Sequence, residues 1–226
     1  FCTRCASTAV NTEIHIAIKI TNNIIIKMLK CSKLKYNKIK HEILYLSLDN
    51  ELDFASYDLV YIGSGTEENQ KIALKHLMNY QEDIKKYIEN NKFMFVTGNS
   101  VDMFGKKIID DKEYAGLGVF DYTVTRGKRK MEEVYLDSDI TKHKILGFIN
   151  NNSYIDEVNF PLFKNEGVKY NNFYATYILG PILVRNPDFV KYFLNNLTGQ
   201  KLKYDLKLET KAYNEFVKNF KEEVHE

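Results

Sequence analysis

Residues 92–100 read Lys92-Phe-Met-Phe-Val96-Thr97-Gly98-Asn99-Ser100. The stretch from Phe93 to Val96 is continuously apolar, as a strand covered on both faces of a parallel sheet must be. Thr97 and Gly98 break it, and a helical run through Phe104 follows at once. Asn99 with Asp102 three positions on approximates a capping box, with Asp in place of the usual Glu or Gln, so a helix is expected to start at Asn99 or Ser100. A buried strand turning sharply into a helix can hold a nucleophile above the sheet, close to helix N–H groups that stabilise an anion.

The same alternation of strand and helix extends in both directions. Upstream, Ile14-His-Ile-Ala-Ile-Lys-Ile20 alternates with period two, residues 24–34 space their apolar side chains as a helix, and Glu42-Ile-Leu-Tyr-Leu-Ser-Leu48 returns to strand. Tyr57-Asp-Leu-Val-Tyr-Ile62 then enters the glycine turn Gly63-Ser64-Gly65. Residues 67–90 carry Ile72, Leu77, Tyr80, Ile84, Tyr87 and Ile88 at helical spacing, with acids early and lysines late as the helix dipole favours, which predicts one long helix.

Downstream of Gly116-Leu-Gly118, strands are expected at residues 119–124 and 133–136, with Arg126-Gly-Lys-Arg-Lys130 as the turn between them, and a third at residues 144–149. Phe173-Tyr-Ala-Thr-Tyr-Ile178 reads as a further buried strand stopped by Gly180-Pro181. Asn186 at the cap and Pro187 at the first helical position open a helix through Leu197. Ala212, Phe216 and Phe220, four residues apart, mark a terminal amphipathic helix that packs on its own domain or on a partner. The order predicts an α/β fold in three layers, a mostly parallel sheet with helices on both faces. The first dozen residues lack periodicity, so residues 1–13 are left as an unassigned N-terminal segment, either a fragment edge or native. With no repeat, low-complexity tract or flexible linker, residues 14–226 are read as a single domain.

Composition narrows the function classes. The chain has 226 residues, 44% of them apolar and 27% charged, which fits a compact domain and excludes disordered, collagen-like and disulfide-scaffold classes. Its 32 Lys and Arg against 30 Asp and Glu leave a formal charge of +2, too balanced for a protein whose main work is gripping phosphate backbones, so no nucleic acid partner is expected. Three cysteines, Cys2, Cys5 and Cys31, write no disulfide framework and suit a reducing compartment. Cys2-x-x-Cys5 is half a zinc site with no second pair at ligand spacing, so no metal is expected. The most apolar early segment, residues 14–26, is interrupted by Lys19, Thr21, Asn22 and Asn23; no membrane span is predicted, and the expected location is cytoplasmic.

A family resemblance emerges when the junctions are taken together: Tyr57-Asp-Leu-Val-Tyr-Ile-Gly-Ser-Gly65, Phe95-Val-Thr-Gly-Asn-Ser-Val-Asp-Met-Phe-Gly105, Gly116-Leu-Gly-Val-Phe120, Gly147-Phe148, Ala175-Thr-Tyr-Ile-Leu-Gly-Pro181 and Asn186-Pro187. In this order, over residues 40–197, the chain resembles the class I glutamine amidotransferases of the cobyric acid synthase type, whose α/β fold is flavodoxin-like. It looks closest to the small glutaminase subunits that pair with a Mur-ligase-like subunit of the MurT type to amidate lipid II in cell-wall synthesis. The family's early Tyr-Gly-Asp-x-Gly-Asn pattern is reduced here to Thr21-Asn-Asn23.

The resemblance also locates two replacements. The family's elbow cysteine precedes a glycine by seven residues, and counting back from Gly105 reaches Gly98. The family's histidine lies in a Thr-Tyr-x-His-Gly-Pro pattern, where this chain has Thr176-Tyr-Ile-Leu179-Gly-Pro181. Glutamine hydrolysis in this fold uses a thiolate to attack the side-chain amide and an imidazole to carry the proton to departing ammonia. Glycine and leucine supply neither, so no catalytic residue is assigned, and Ser100 and Thr97 stand as fallback nucleophiles.

The resemblance further assigns ligand binding to Gly63, Ser64 and Gly65 as the oxyanion turn, to Asn99 at the helix start and to Arg129 as a glutamine anchor, with a solvated basic turn as the alternative for Arg129. Asn150 and Asn151 replace a family Glu-Asn-His segment and read as a surface strand end. His15, His41, His76, His143 and His225 lie outside the strand that ends at Gly180 and read as surface or half-buried histidines, and Cys31 as a packed thiol.

The implied protein is an amidotransferase-like subunit without glutaminase activity, a structural or regulatory partner of a Mur-ligase-like subunit, with glutamine as a possible ligand. It needs no cofactor of its own; ATP and magnesium belong to the partner. The alternatives are an active amidotransferase or hydrolase using Ser100 or Thr97, and a free-standing domain that binds a small ligand.

Overall fold

The structure, a computed structural model, describes residues 44, 50–156, 158–179 and 182–223. The elements expected at residues 14–34 and 42–48, all three cysteines and the Gly180-Pro181 stop lie outside the described residues, Leu44 excepted.

The decisive strand is where the sequence places it. β1 (Leu59–Ile62), β2 (Phe93–Thr97), β7 (Val168–Tyr170) and β8 (Phe173–Thr176) form a four-stranded sheet in the order β1-β2-β8-β7. The first three are parallel, with Val60 beside Met94 and Met94 beside Phe173, and β7 runs antiparallel at the edge. Because strand side chains alternate between faces, Val60, Ile62, Met94, Val96, Phe173 and Ala175 share one face. There they pack against Leu74 and Leu77 of α1 (Glu67–Leu77) and Ile84 and Ile88 of α2 (Gln81–Glu89). Leu59, Phe95 and Tyr174 point the other way, with the second core. That core takes in Ile182 and Leu183 of the one-turn helix α3 (Ile182–Arg185) and Phe189, Phe193 and Leu194 of α4 (Pro187–Thr198). Helices thus cover both faces, and the unbroken apolar run of β2 is the mark of a strand buried twice.

The single helix expected over residues 67–90 is two. Thr66 caps α1, accepting from the Asn69 amide at 3.1 Å, and a 3-10 turn at Met78–Tyr80 interrupts the helix before α2. Apolar side chains on both sides of the break still reach one core, since the turn re-aims the second half so that Ile84 and Ile88 meet the sheet.

A second, five-stranded sheet in the order β4-β3-β5-β6-β9 was not expected. It comprises β3 (Lys107–Ile109), β4 (Glu113–Ala115), β5 (Thr123–Leu136), β6 (Ile145–Ile155) and β9 (Ile178–Leu179), and all its pairings except β3 with β5 are antiparallel. The Arg126–Lys130 segment is not a turn between two strands: β5 is one strand of 14 residues that bulges there, Arg126 pairing with Ser153 and Lys130 with Asn151. Pairing with β6 on both sides of the irregularity keeps the direction of the chain, and Gly127 lies within the bulge.

The strand expected at residues 173–178 also divides. Glu166 accepts the Tyr177 amide at 2.6 Å and the Thr176 hydroxyl at 2.8 Å, so the Tyr177 N–H is spent on a side chain, and Ile178 and Leu179 join the second sheet instead.

Pro187 opens α4 and Asn186 stands at its N-cap as expected, but the Asn186 side chain bonds none of the helix N–H groups. Its Oδ1 accepts from the Leu146 amide at 2.8 Å, and its Nδ2 donates to the Leu146 and Ile182 carbonyls, each at 2.8 Å, tying the helix start to β6. The terminal helix α5 (Lys207–Glu223) packs on its own chain, through buried Tyr213 and also through Phe216 and Phe220 of the expected stripe, the Phe220 ring centre lying 5.6 Å from that of Tyr135. The Tyr213 hydroxyl donates to the Lys144 carbonyl at 2.7 Å, whereas Ala212 is exposed and Phe216 lies under the Arg185 guanidinium, 4.6 Å from its ring centre. No helix among the described residues is long and apolar enough to cross a membrane.

Candidate functional site

β2 ends at Thr97, and the next residue has the backbone that an elbow demands: Gly98 has φ of +64°. A Cβ placed on it would lie 2.5 Å from Ser64 Cβ and 2.6 Å from Leu179 Cδ2. The structure therefore brings together the three positions that the sequence reading put at the centre of the site, the elbow, the glycine turn and the strand end carrying Leu179. The space between them is filled by the Ser64 and Leu179 side chains.

The helix beyond Gly98 differs from expectation. Gly98–Phe104 is a 3-10 helix of 7 residues, and no side chain caps it. Asn99 instead bridges to the glycine turn, accepting from Gly65 N at 3.1 Å and donating to Gly65 O at 2.9 Å. Ser100 donates to Gly63 O at 2.6 Å, and the Gln70 side-chain amide donates to the Asn99 carbonyl. The polar side chains read as a capping box are thus spent on lateral bonds. One consequence is chemical: the Gly65 amide, expected to be available to an oxyanion, is already donated to Asn99.

Asp102, the far end of the expected box, is wholly buried. It accepts the Ser153 hydroxyl at 2.7 Å and the Tyr177 hydroxyl at 2.8 Å. Burial pushes its carboxyl above the usual range, against the pull of those donors and of Arg126. The Arg126 guanidinium stands 3.5 Å from Asp102 and 2.9 Å from Asp110, and it also reaches the Gln70 carbonyl oxygen. Lys71 joins Asp110 at 3.1 Å. Arg126, read from the sequence as part of a solvated turn, is a buried anchor with a side chain 3% exposed. The available clue is its period-two spacing from buried Val124 in the same strand.

Arg129 does stand on the exposed bulge, but its guanidinium is engaged. It pairs with Glu67 in the first turn of α1 and donates to Asn150 Oδ1 at 3.0 Å, so it bridges α1 to β6. Burial opposes ionisation of Glu67, yet its own backbone amide and Arg129 hold its carboxyl below the usual range. Asn150 is therefore not a strand end; it lies in the middle of β6, and buried Asn151 donates to Ser153 O at 3.2 Å.

The fallback nucleophiles are both buried and bonded. Thr97 shares a hydrogen bond of 2.9 Å with the Tyr61 hydroxyl, and Ser100 is held on Gly63 O. Neither described histidine serves as their base. His76 lies on α1 with its ring centre 5.4 Å from that of Tyr80, and His143 is bound to Asp188 at 2.6 Å; His15, His41 and His225 are outside the described residues. A hydroxyl needs an adjacent base to attack an amide, and these have none among the described residues.

Comparison with known proteins matches this architecture. The family model for a CobB/CobQ-like glutamine amidotransferase domain matches residues 27–187. The chain is 30% identical over 182 residues to the lipid II isoglutaminyl synthase (glutamine-hydrolyzing) subunit GatD of Staphylococcus aureus (strain N315), a match spanning 74% of each. To the subunit of the same name from Streptococcus pneumoniae (strain ATCC BAA-255 / R6) it is 25% identical over 190 residues, 76% of this chain and 72% of that one. A crystal structure of a glutamine amidotransferase superposes with a TM-score of 0.51 at 18% identity, covering 64% of this chain and 80% of the other, and so shares its fold. The ordered motifs, the α/β sheet with its elbow and these relatives agree, and the chain belongs to the CobB/CobQ-like glutamine amidotransferase family.

Proposed function

We propose that this chain is a GatD-type subunit that has lost glutamine hydrolysis and acts as a structural or regulatory partner of a Mur-ligase-like subunit in the amidation of lipid II. The observation that carries this reading is the meeting of Gly98 and Leu179, whose would-be Cβ and Cδ2 lie 2.6 Å apart. In the intact chemistry a thiolate adds to the glutamine side-chain amide, and an imidazole hands a proton to the nitrogen as the carbon–nitrogen bond breaks and ammonia leaves. A hydrogen and an isobutyl group perform neither step. The glutamine anchor is likewise committed, since Arg129 is paired with Glu67. A ligase served by such a subunit takes its ammonia from solution. The partnership itself rests on the relatives, whose names make each of them a subunit of a larger synthase.

The test is ammonia and glutamate release from glutamine by the purified full-length chain, alone and together with its co-purified partner. Both are expected at the background rate, unchanged by Ser100→Ala or Thr97→Val. Turnover that either substitution abolishes overturns the loss of activity. Failure of the chain to co-elute with a Mur-ligase-like protein overturns the partnership.

A further inference from the structure

A cavity of about 430 Å³ lies behind the site just described, walled by β6 and by the connection from β6 to β7. Leu179 pairs with Phe148, whereas the cavity is lined by Ile149, Asn151 and Ser153, so it opens on the other face of β6 from the one that Leu179 shares. Glu166 is one of its lining residues. Both oxygens of that carboxyl face neutral donors, Oε1 the Tyr177 amide and Oε2 the Thr176 hydroxyl, and among the described residues no lysine or arginine forms an ion pair with it. Burial pushes the carboxyl up to about 7, against those two hydrogen bonds. The other charged groups around the cavity are Asp156 at the end of β6, Lys130 of β5 and, behind Ser153 and Tyr177, Asp102. Lys130 is turned to Glu132, 2.6 Å away. The rest of the lining is mixed: Ile149, Ile155, Val158, Pro161 and the half-exposed ring of Tyr154 on one hand, and the polar side chains of Asn151, Ser153 and Asn165 on the other.

A cavity of amino-acid size with a carboxylate that no cation compensates and with walls that are aliphatic in part asks for a ligand with one positive charge and a short apolar body. We propose that it binds a small primary amine in its protonated form, the ammonium on Glu166 and the alkyl part against Ile149, Ile155 and Val158. Neither a role for Gly98 nor the loss of glutamine hydrolysis enters into this, so it stands or falls apart from the function proposed above.

Glu166 holds a cation only when ionised. Its carboxyl is mostly protonated at pH 6 and mostly ionised at pH 8, so affinity rises about tenfold across that interval and binding releases a proton at the acid end. The test follows the Tyr177 amide resonance of the ¹⁵N-labelled full chain during titration with n-propylammonium chloride at pH 6 and pH 8 and constant ionic strength. Propionamide, of nearly the same shape but neutral, and L-alanine, a zwitterion, run beside it. The expected result is a saturable shift with propylammonium, about tenfold tighter at pH 8, none with propionamide and none in Glu166→Gln, which keeps an acceptor for Tyr177. Saturation by L-alanine as well marks the source as a free amino acid; without it, the source is a simple amine. Val158→Trp, which fills the cavity and leaves the hydrogen bonds of Glu166 in place, should abolish the shift even if Glu166→Gln fails to fold. No saturable shift at pH 8, an equal response to propionamide, or binding that survives both substitutions overturns the proposal.

Discussion

Residue 98 is constrained twice over. A side chain there meets a backbone at φ +64°, which costs a non-glycine residue about 1–3 kcal/mol, and collides with Ser64 and Leu179 at 2.5 and 2.6 Å, an overpacking worth about 1–3 kcal/mol more. Gly98→Cys alone should therefore lower the melting temperature by several degrees and release no ammonia. Adding Ser64→Gly removes the collision with Ser64, and Leu179→His exchanges the isobutyl group for a planar imidazole that can turn its edge past the thiol. The triple variant is expected to recover part of the lost stability and to gain glutamine-dependent ammonia release, read as glutamate formed per hour against the parent chain. A single Gly98→Cys variant as stable as the parent would show that the elbow is not packed as described. These two positions were legible because a motif of fixed spacing names a position whatever stands in it. The bonds of their neighbours were not: Asn99 and Ser100 are good caps by residue type, and only the nearness of Gly63 and Gly65, 34 or more residues away in sequence, diverts them.

Elements in this chain meet at Asp102, which joins the 3-10 helix, β6 through Ser153, the β8–β9 junction through Tyr177 and β5 through Arg126. Asp102→Ala leaves two buried hydroxyls and one side of a buried guanidinium unmatched, and is expected to cost about 3–5 kcal/mol. Asp102→Asn keeps the shape and much of the hydrogen bonding. It should cost less than half as much, all the more because burial already favours the neutral acid. Urea unfolding of both variants checks the ranking, and a loss under about 1 kcal/mol for Asp102→Ala would mean that the junction is held elsewhere. Local pattern could not reveal this sheet. A glycine among four basic residues, Arg126-Gly-Lys-Arg-Lys130, is by composition a turn, and it is a bulge only because β6, some 20 residues on, pairs on either side of it. The split of β8 from β9 is similarly non-local, set by Glu166 reaching across to Thr176 and Tyr177. β2 and α4 were legible since their signals, a continuous apolar run and a proline at the first helical position, are contained within themselves.

Over the whole molecule, the two apolar cores lie back to back across the four-stranded sheet and share its strands residue by residue. In β2, Met94 and Val96 belong to one core and Phe95 to the other; in β8, Phe173 and Ala175 face Tyr174 in the same way. Neither core can open while those strands keep their register, so the two should be lost together. Leu74→Ala strikes the α1 side, at about 2–5 kcal/mol. Phe193→Ala strikes the α4 side, at about 3–5 kcal/mol, removing a ring whose centre lies 5.3 Å from those of both Phe95 and Tyr174. At about 2–4 °C per kcal/mol for a chain of this size, each should lower the melting temperature by about 4–20 °C. The chain has 16 Tyr and no Trp, so near-ultraviolet dichroism reports tyrosine and phenylalanine packing in both cores, while the far-ultraviolet signal reports helix. In the parent and in both variants the two signals are expected to fall in one coincident transition, because damage to either side is transmitted through β1, β2 and β8. A Phe193→Ala chain that loses its helix in two steps, with the α1 and α2 part surviving the first, would show the shared strands to be too weak to couple the layers.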